Sequence, residues 1–215
     1  MNETSLAIPR AARPLAAALA VAALAVVSTA SAQTPPKKTQ EQRKALQEAH
    51  KGDFDYLLGD WEYTAVRKMP DGPQKFRGYW SALRLDDGQV LDEYRVVSDE
   101  GETWYVTTTL RNYNPFEDRW ELIGANEGSG LLDFGTARRE GGEVRIEQSF
   151  GVASGEPSML RIRYYDIQSD RFSWTADRST DGGKTWVKDF QQIEARRIGP
   201  SRSLPALAPA RNAKK

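Results

Sequence analysis

The chain has 215 residues, 30 Lys+Arg against 30 Asp+Glu, and no cysteine, which excludes disulfides, Cys-ligated zinc, iron–sulfur clusters and thiol catalysis. The balance conceals an uneven layout: residues 53–197 carry 19 Lys/Arg against 27 Asp/Glu, while 33–52 and 198–215 are basic. An acidic central region is a poor nucleic-acid binder, because phosphate contacts dominate that affinity, so no nucleic-acid partner is expected.

Residues 1–32 have the pattern of a signal peptide. Arg10 and Arg13 precede an apolar run from Leu15 to Val27, and Ala30-Ser31-Ala32 supplies a small-x-small cleavage site. The alternative is a membrane anchor, but this run is well short of the roughly 20 residues a bilayer requires. The expected location is the periplasm or the extracellular space, after cleavage behind Ala32, with no integral membrane segment remaining. A polar linker with Pro35-Pro36 follows, and 39–50 then reads as a helix. Thr39 and Gln42 fit a capping box, and Ala45, Leu46 and Ala49 form a narrow apolar stripe suited to lying over one end of a larger body.

From residue 53 onward, turn signals recur at roughly the 8–12-residue spacing of an all-β barrel or sandwich. Nine turns, from Pro70-Asp71-Gly72 to Asp181-Gly182-Gly183, separate ten strand cores at 60–68, 75–85, 89–97, 103–113, 119–125, 131–138, 143–150, 158–166, 171–178 and 185–197. Alternation supports half-buried strands: Trp104, Val106, Thr108 and Leu110 share one face of the fourth, and Leu160, Ile162 and Tyr164 one face of the eighth. A meander of consecutive hairpins hides its edges by closing on itself. The expected fold is therefore all-β, an antiparallel meander of about ten strands closed into a barrel over 53–197, with a short N-terminal helix over 39–50. A disordered basic tail is expected over 198–215.

Gly59-Asp60-Trp61 opens the first strand, and Phe54-Asp55-Tyr56-Leu57-Leu58 before it completes the pattern Phe-Asp-x-Leu-x-Gly-x-Trp. This resembles the first-strand signature of the calycins, the superfamily of lipocalins, fatty-acid-binding proteins and their bacterial relatives. With the late Asp-Gly-Gly-Lys-Thr-Trp, the chain looks like a family of exported bacterial calycin-like proteins of unassigned function. The resemblance implies a barrel that holds one small ligand. It also implies that Trp61 closes one end, with a basic residue of the last strand, from Arg196-Arg197, packed across the indole. These three would be structural.

Ser179-Thr180-Asp181-Gly182-Gly183-Lys184-Thr185-Trp186 matches the Asp-box of sialidases and other propellers. One copy in a chain this short reads as a self-capped hairpin turn and not as a glycosidase. His50 is the only histidine, at the end of the leading helix, so neither a His-based metal site nor a Ser-His-Asp relay is expected. Haem-binding calycins with ten strands use a histidine on a late strand, and this chain has none, so no cofactor is expected. Of Asp92-Glu93, at most one side chain faces inward. Paired with an interior arginine, it would serve either a ligand or the core. Trp80, Tyr94, Trp104, Trp120 and Trp174 are the candidate ligand-binding residues, with plain core packing as the simpler alternative. The expected function is a secreted or periplasmic protein holding a small apolar or amphipathic ligand in the barrel. The alternatives are a structural or interaction barrel with a filled core, and a metal-free cavity enzyme.

Overall fold

A computed structural model describes residues 37–85, 88–126, 130–150 and 157–203; the signal peptide expected over 1–32 lies outside the described residues. Helix α1 (Gln40–His50) begins at Thr39, whose hydroxyl accepts from the Gln42 amide at 3.2 Å while the Gln42 side chain accepts from the Thr39 amide at 2.8 Å. A single 3-10 turn (Asp55–Leu57) then leads into ten strands: β1 (Gly59–Met69), β2 (Gly72–Arg84), β3 (Val90–Val97), β4 (Thr103–Asn114) and β5 (Arg119–Asn126), followed by β6 (Gly130–Glu140), β7 (Glu143–Phe150), β8 (Ser158–Tyr165), β9 (Arg171–Ser179) and β10 (Val187–Gly199).

Each strand pairs antiparallel with its successor, and β1 also pairs with β10, so the sheet is a closed ten-stranded antiparallel barrel. The closing seam places Trp61 opposite Arg197 on one side and opposite Trp80 on the other. Gly59 permits this seam. Its φ is +111°, and a Cβ there would sit 2.5 Å from Arg197 Nη1 and 2.8 Å from the Gly199 carbonyl.

The even-numbered connections β2–β3, β4–β5, β6–β7 and β8–β9 share the end at which β1 begins. There α1 and the 3-10 turn form a plug, with Lys38 Nζ donating to the Phe116 carbonyl in the β4–β5 turn at 2.7 Å. Among the described connections, the β1–β2, β3–β4 and β9–β10 turns lie at the opposite end.

The expected tail boundary at 198 is corrected. β10 runs to Gly199, and a two-residue strand β11 (Arg202–Ser203) pairs parallel with Leu83–Arg84 of β2. The reason is geometric: β1 starts at Gly59, opposite Ala82, so the last residues of β2 lack a β1 neighbour and the returning chain supplies one. Ser201 Oγ also donates to the Leu58 carbonyl at 3.2 Å. Deleting 198–215 is therefore expected to lower the melting temperature; an unchanged thermal melt would argue against this docking.

The Asp181 turn holds itself together. The Asp181 carboxylate accepts from the Thr185 amide and hydroxyl, the Lys184 amide and the Ser179 hydroxyl, and Trp186 Nε1 donates to the Gly183 carbonyl at 3.0 Å. Hydrogen bonds from the Thr185 side chain and backbone bring the Asp181 pKa down from 3.8 to about 2. A depressed folded-state pKa contributes stability that is present above 3.8 and lost as pH falls through about 2. Asp181→Asn is thus expected to flatten the fall in melting temperature between those two pH values, which parallel melts of both proteins would show.

Candidate functional site

Trp61, Tyr63 and Ala65 point inward from β1, and Phe172, Trp174 and Ala176 from β9, in the period-two alternation of a strand. The interior is filled at the plugged end and hollow at the other. In the filled half, Phe54, Leu57 and Trp61 are fully excluded from solvent and pack with Tyr56, Trp120 and Phe172. Their rings meet edge to face: Trp61 and Phe172 at 4.8 Å, Phe54 and Trp120 at 5.0 Å, Tyr56 and Phe172 at 5.7 Å. Trp61 Nε1 donates to the Leu57 carbonyl at 2.8 Å, and the Arg197 guanidinium lies 4.1 Å from the Trp61 ring centroid. Arg197 also donates to the carbonyls of Tyr56, Leu58 and Ser169, tying the plug to the last strand.

Above this packing lies a polar layer. Asp92 and Arg111, both almost wholly buried, form an ion pair, and Trp80 Nε1 donates to Asp92 Oδ1 at 2.8 Å. Glu93, next in sequence, faces outward and pairs with Arg95. The Arg111 guanidinium lies 5.2 Å from the Phe54 ring centroid, so it separates the plug from the space above. That space is a cavity of about 500 Å³, open at the end away from α1. Its floor includes Trp80, Asp92, Arg111 and Tyr164. Its walls carry Tyr94, Ile146, Leu160, Ile162, Trp174 and Ile193, and near the mouth lie Arg67, Gln74, Phe76, Trp104, Arg178 and Phe190.

The five aromatic residues singled out from the sequence separate here. Trp80, Tyr94 and Trp174 line the cavity, and Trp104, 64% exposed, stands at its mouth. Trp80 serves the core as well, since it contacts Tyr94, Tyr164 and Phe172 and anchors Asp92. Trp120 does not belong with them. It points into the plugged end, where its Nε1 donates to Asp53 Oδ2 at 3.1 Å, because β5 presents that position to the plug and not to the hollow half. Of the arginine pair, Arg197 is on the indole, whereas Arg196 faces solvent opposite Glu62, as alternation along β10 requires. His50 is a clamp on the plug: its ring stacks on Tyr113 at 4.9 Å, and Nδ1 lies 2.8 Å from Asp53 Oδ2. No cluster of three His, Asp or Glu suited to a metal occurs among the described residues.

The interior face of β4 differs from the sequence expectation. Tyr105, Thr107, Thr109, Arg111 and Tyr113 point inward, and Val106, Thr108 and Leu110 point outward. The strand's more apolar face is the outer one because its inner face supplies the Asp92 partner and the polar cavity lining. Arg67, Arg111, Arg178, Phe190 and Gln191 were not singled out from the sequence. Parity with Trp61 along β1, and with Trp174 along β9, carries the signal for Arg67 and Arg178. Phe190 had none. Its inward position depends on a bulge in β10, where Asp189 adopts φ +47° and the register with β9 jumps from Val187 to Gln191.

Burial pushes the hydroxyls of Tyr94 and Tyr164 up to about 12, and raises Tyr63 as well. Arg67 near Tyr94 and Arg111 near Tyr164 oppose this only in part. The shift is further above pH 7, so these phenols are held as neutral hydrogen-bonding groups and not as bases at that pH.

No known protein-family profile matches the chain, and no curated protein matches it in sequence. Among solved structures, Rv2717c from M. tuberculosis superposes with a TM-score of 0.52 at 16% identity, over 71% of this chain and 97% of that one. The S-type phycobiliprotein lyase CPES from Guillardia theta gives a TM-score of 0.49 at 11% identity, over 76% of this chain and 99% of that one. A redesigned β-barrel gives 0.35 at 9%, over 66% and 90%. At 16% identity the likeness to Rv2717c is one of fold alone.

Proposed function

We propose that this chain is an exported binding protein that holds one small amphipathic molecule in the hollow half of its barrel. The observation behind this reading is the division of the interior: a packed, plugged end beneath an open cavity of about 500 Å³. That volume lies within the range of small-ligand sites, roughly 300–1,000 Å³. The lining fits the ligand class, with an aromatic and aliphatic wall interrupted by a few oriented polar groups. A barrel serving only as a scaffold would be stabilised by filling this space, since unfilled apolar volume forfeits packing contacts. Export follows from the leader pattern alone, and intact mass of the secreted fraction, beginning at Gln33, tests it.

The binding test is native mass spectrometry of freshly purified protein, with titration by an apolar fluorophore. One fluorophore per chain and quenching of tryptophan emission are expected. Trp104→Ala should change fluorophore affinity while shifting stability by no more than about 0.5 kcal/mol, as for exposed positions generally. No adduct, no fluorophore binding and no emission change in the unsubstituted protein would overturn the reading.

A further inference from the structure

The net charge of residues 53–197 and that of the cavity lining have opposite signs. Residues 53–197 carry an excess of acid, yet the described residues lining the cavity include three arginines and one acidic side chain, Asp92. Asp92 is taken by Arg111. Arg67 and Arg178 remain near the mouth, half-buried, and neither makes an ion pair among the described residues.

Their setting is ordered. Across the adjacent strands β2, β1, β10 and β9, aromatic rings and guanidiniums alternate: Phe76, Arg67, Phe190, Arg178. The Arg67 guanidinium lies 5.0 Å from the Phe76 centroid and 5.9 Å from that of Phe190, and the Arg178 guanidinium lies 5.0 Å from the Phe190 centroid. Arg67 is further fixed by two hydrogen bonds from Nε and Nη2 to Gln191 Oε1, at 2.9 and 2.7 Å. Two like charges share one ring with no described carboxylate between them, at the opening of a low-dielectric space. An anion there relieves their repulsion and accepts their remaining N–H groups, in the charge-assisted geometry guanidiniums favour.

Resting on the binding reading above, we infer that the cavity's ligand is an aromatic acid. Its anionic group sits beside Phe190, within reach of the remaining N–H groups of Arg67 and Arg178, and its ring system extends toward Tyr94, Trp80 and Trp174. An aromatic body is favoured over a flexible chain for two reasons. The rings around the cavity reward ring–ring contact beyond area burial, and a rigid ligand loses less conformational freedom in a compact chamber.

The test compares 1-anilinonaphthalene-8-sulfonate with N-phenyl-1-naphthylamine, the same aromatic body without its acid, by fluorescence titration of the full mature chain. The sulfonate is expected to bind at one per chain and about tenfold more tightly at low ionic strength, an advantage that shrinks as salt screens the half-exposed pair. Arg67→Gln/Arg178→Gln should abolish that advantage while leaving N-phenyl-1-naphthylamine affinity within about twofold. Arg178→Gln alone, which leaves the Arg67–Gln191 bonds intact, should remove part of it and keeps the test decisive if the double variant does not fold. Displacement by 2-naphthoate should need less competitor than displacement by decanoate. Equal affinity for the two dyes, an unchanged advantage in the variants, or decanoate displacing better than naphthoate overturns this inference and leaves the binding reading standing. Failure of both dyes to bind overturns both.

Discussion

Replacing Trp61 by alanine is expected to lower the unfolding free energy by about 3–5 kcal/mol, the range for large aromatic truncations in packed cores. Three losses combine. The indole is fully buried, its Nε1 satisfies the Leu57 carbonyl at 2.8 Å, and its face carries the Arg197 guanidinium that binds three backbone carbonyls of the plug and its neighbours. Removing it leaves a cavity between plug and seam, where the first and last strands must meet. Urea melts with unchanged slope and a shifted midpoint would report this directly. A loss below about 1 kcal/mol would mean that the seam does not depend on this stack.

The second large effect lies in the polar floor. Arg111→Met strands the Asp92 carboxylate at almost complete burial with only Trp80 Nε1 left to it, and breaking one side of such a pair costs about 3–5 kcal/mol. Asp92→Asn combined with Arg111→Met removes both charges while leaving an amide oxygen for the Trp80 donor. The double variant should recover a substantial part of that loss, since exchanging a whole buried ion pair for neutral groups is often close to neutral. Denaturation of the two single variants and the double gives the coupling. If the double is as unstable as Arg111→Met alone, the destabilisation comes from lost packing against Phe54 and not from an uncompensated charge.

Much of this architecture is legible in the sequence because it is local. Turn residues at regular intervals delimit the strands within a few positions, and the Thr39–Gln42 pair marks the start of α1 where the structure has it. The interior is less legible, because facing is a property of the closed sheet. On β4, Leu110 and Val106 read as an inner face, yet Arg111 occupies the inside since its partner Asp92 is already there on β3. Trp120 has the same composition signal as Trp174, and only the position of the plug separates a core ring from a cavity ring. Phe190 depends on a bulge at Asp189, a non-glycine residue at positive φ that no turn signal announces. The segment after Ile198 looks featureless, yet part of it pairs with β2 because that strand outruns β1, a mismatch of lengths visible only once the register is known.

The placement of the plug has a consequence for handling the molecule. Lys38 and Ser201 both make their contacts at the plugged end, to the Phe116 and Leu58 carbonyls, so the described polypeptide enters and leaves the barrel on the same side. Among the described residues, the β1–β2, β3–β4 and β9–β10 hairpin turns lie on the opposite rim. A surface linkage or fused reporter joined next to Lys38 or Ser201 therefore departs from the side away from the mouth. A sensor chip coated through such a linkage would present the openings of its molecules to the flowing solution. The rim hairpins can be lengthened or exchanged, to alter what enters, without disturbing the seam that keeps the sheet shut.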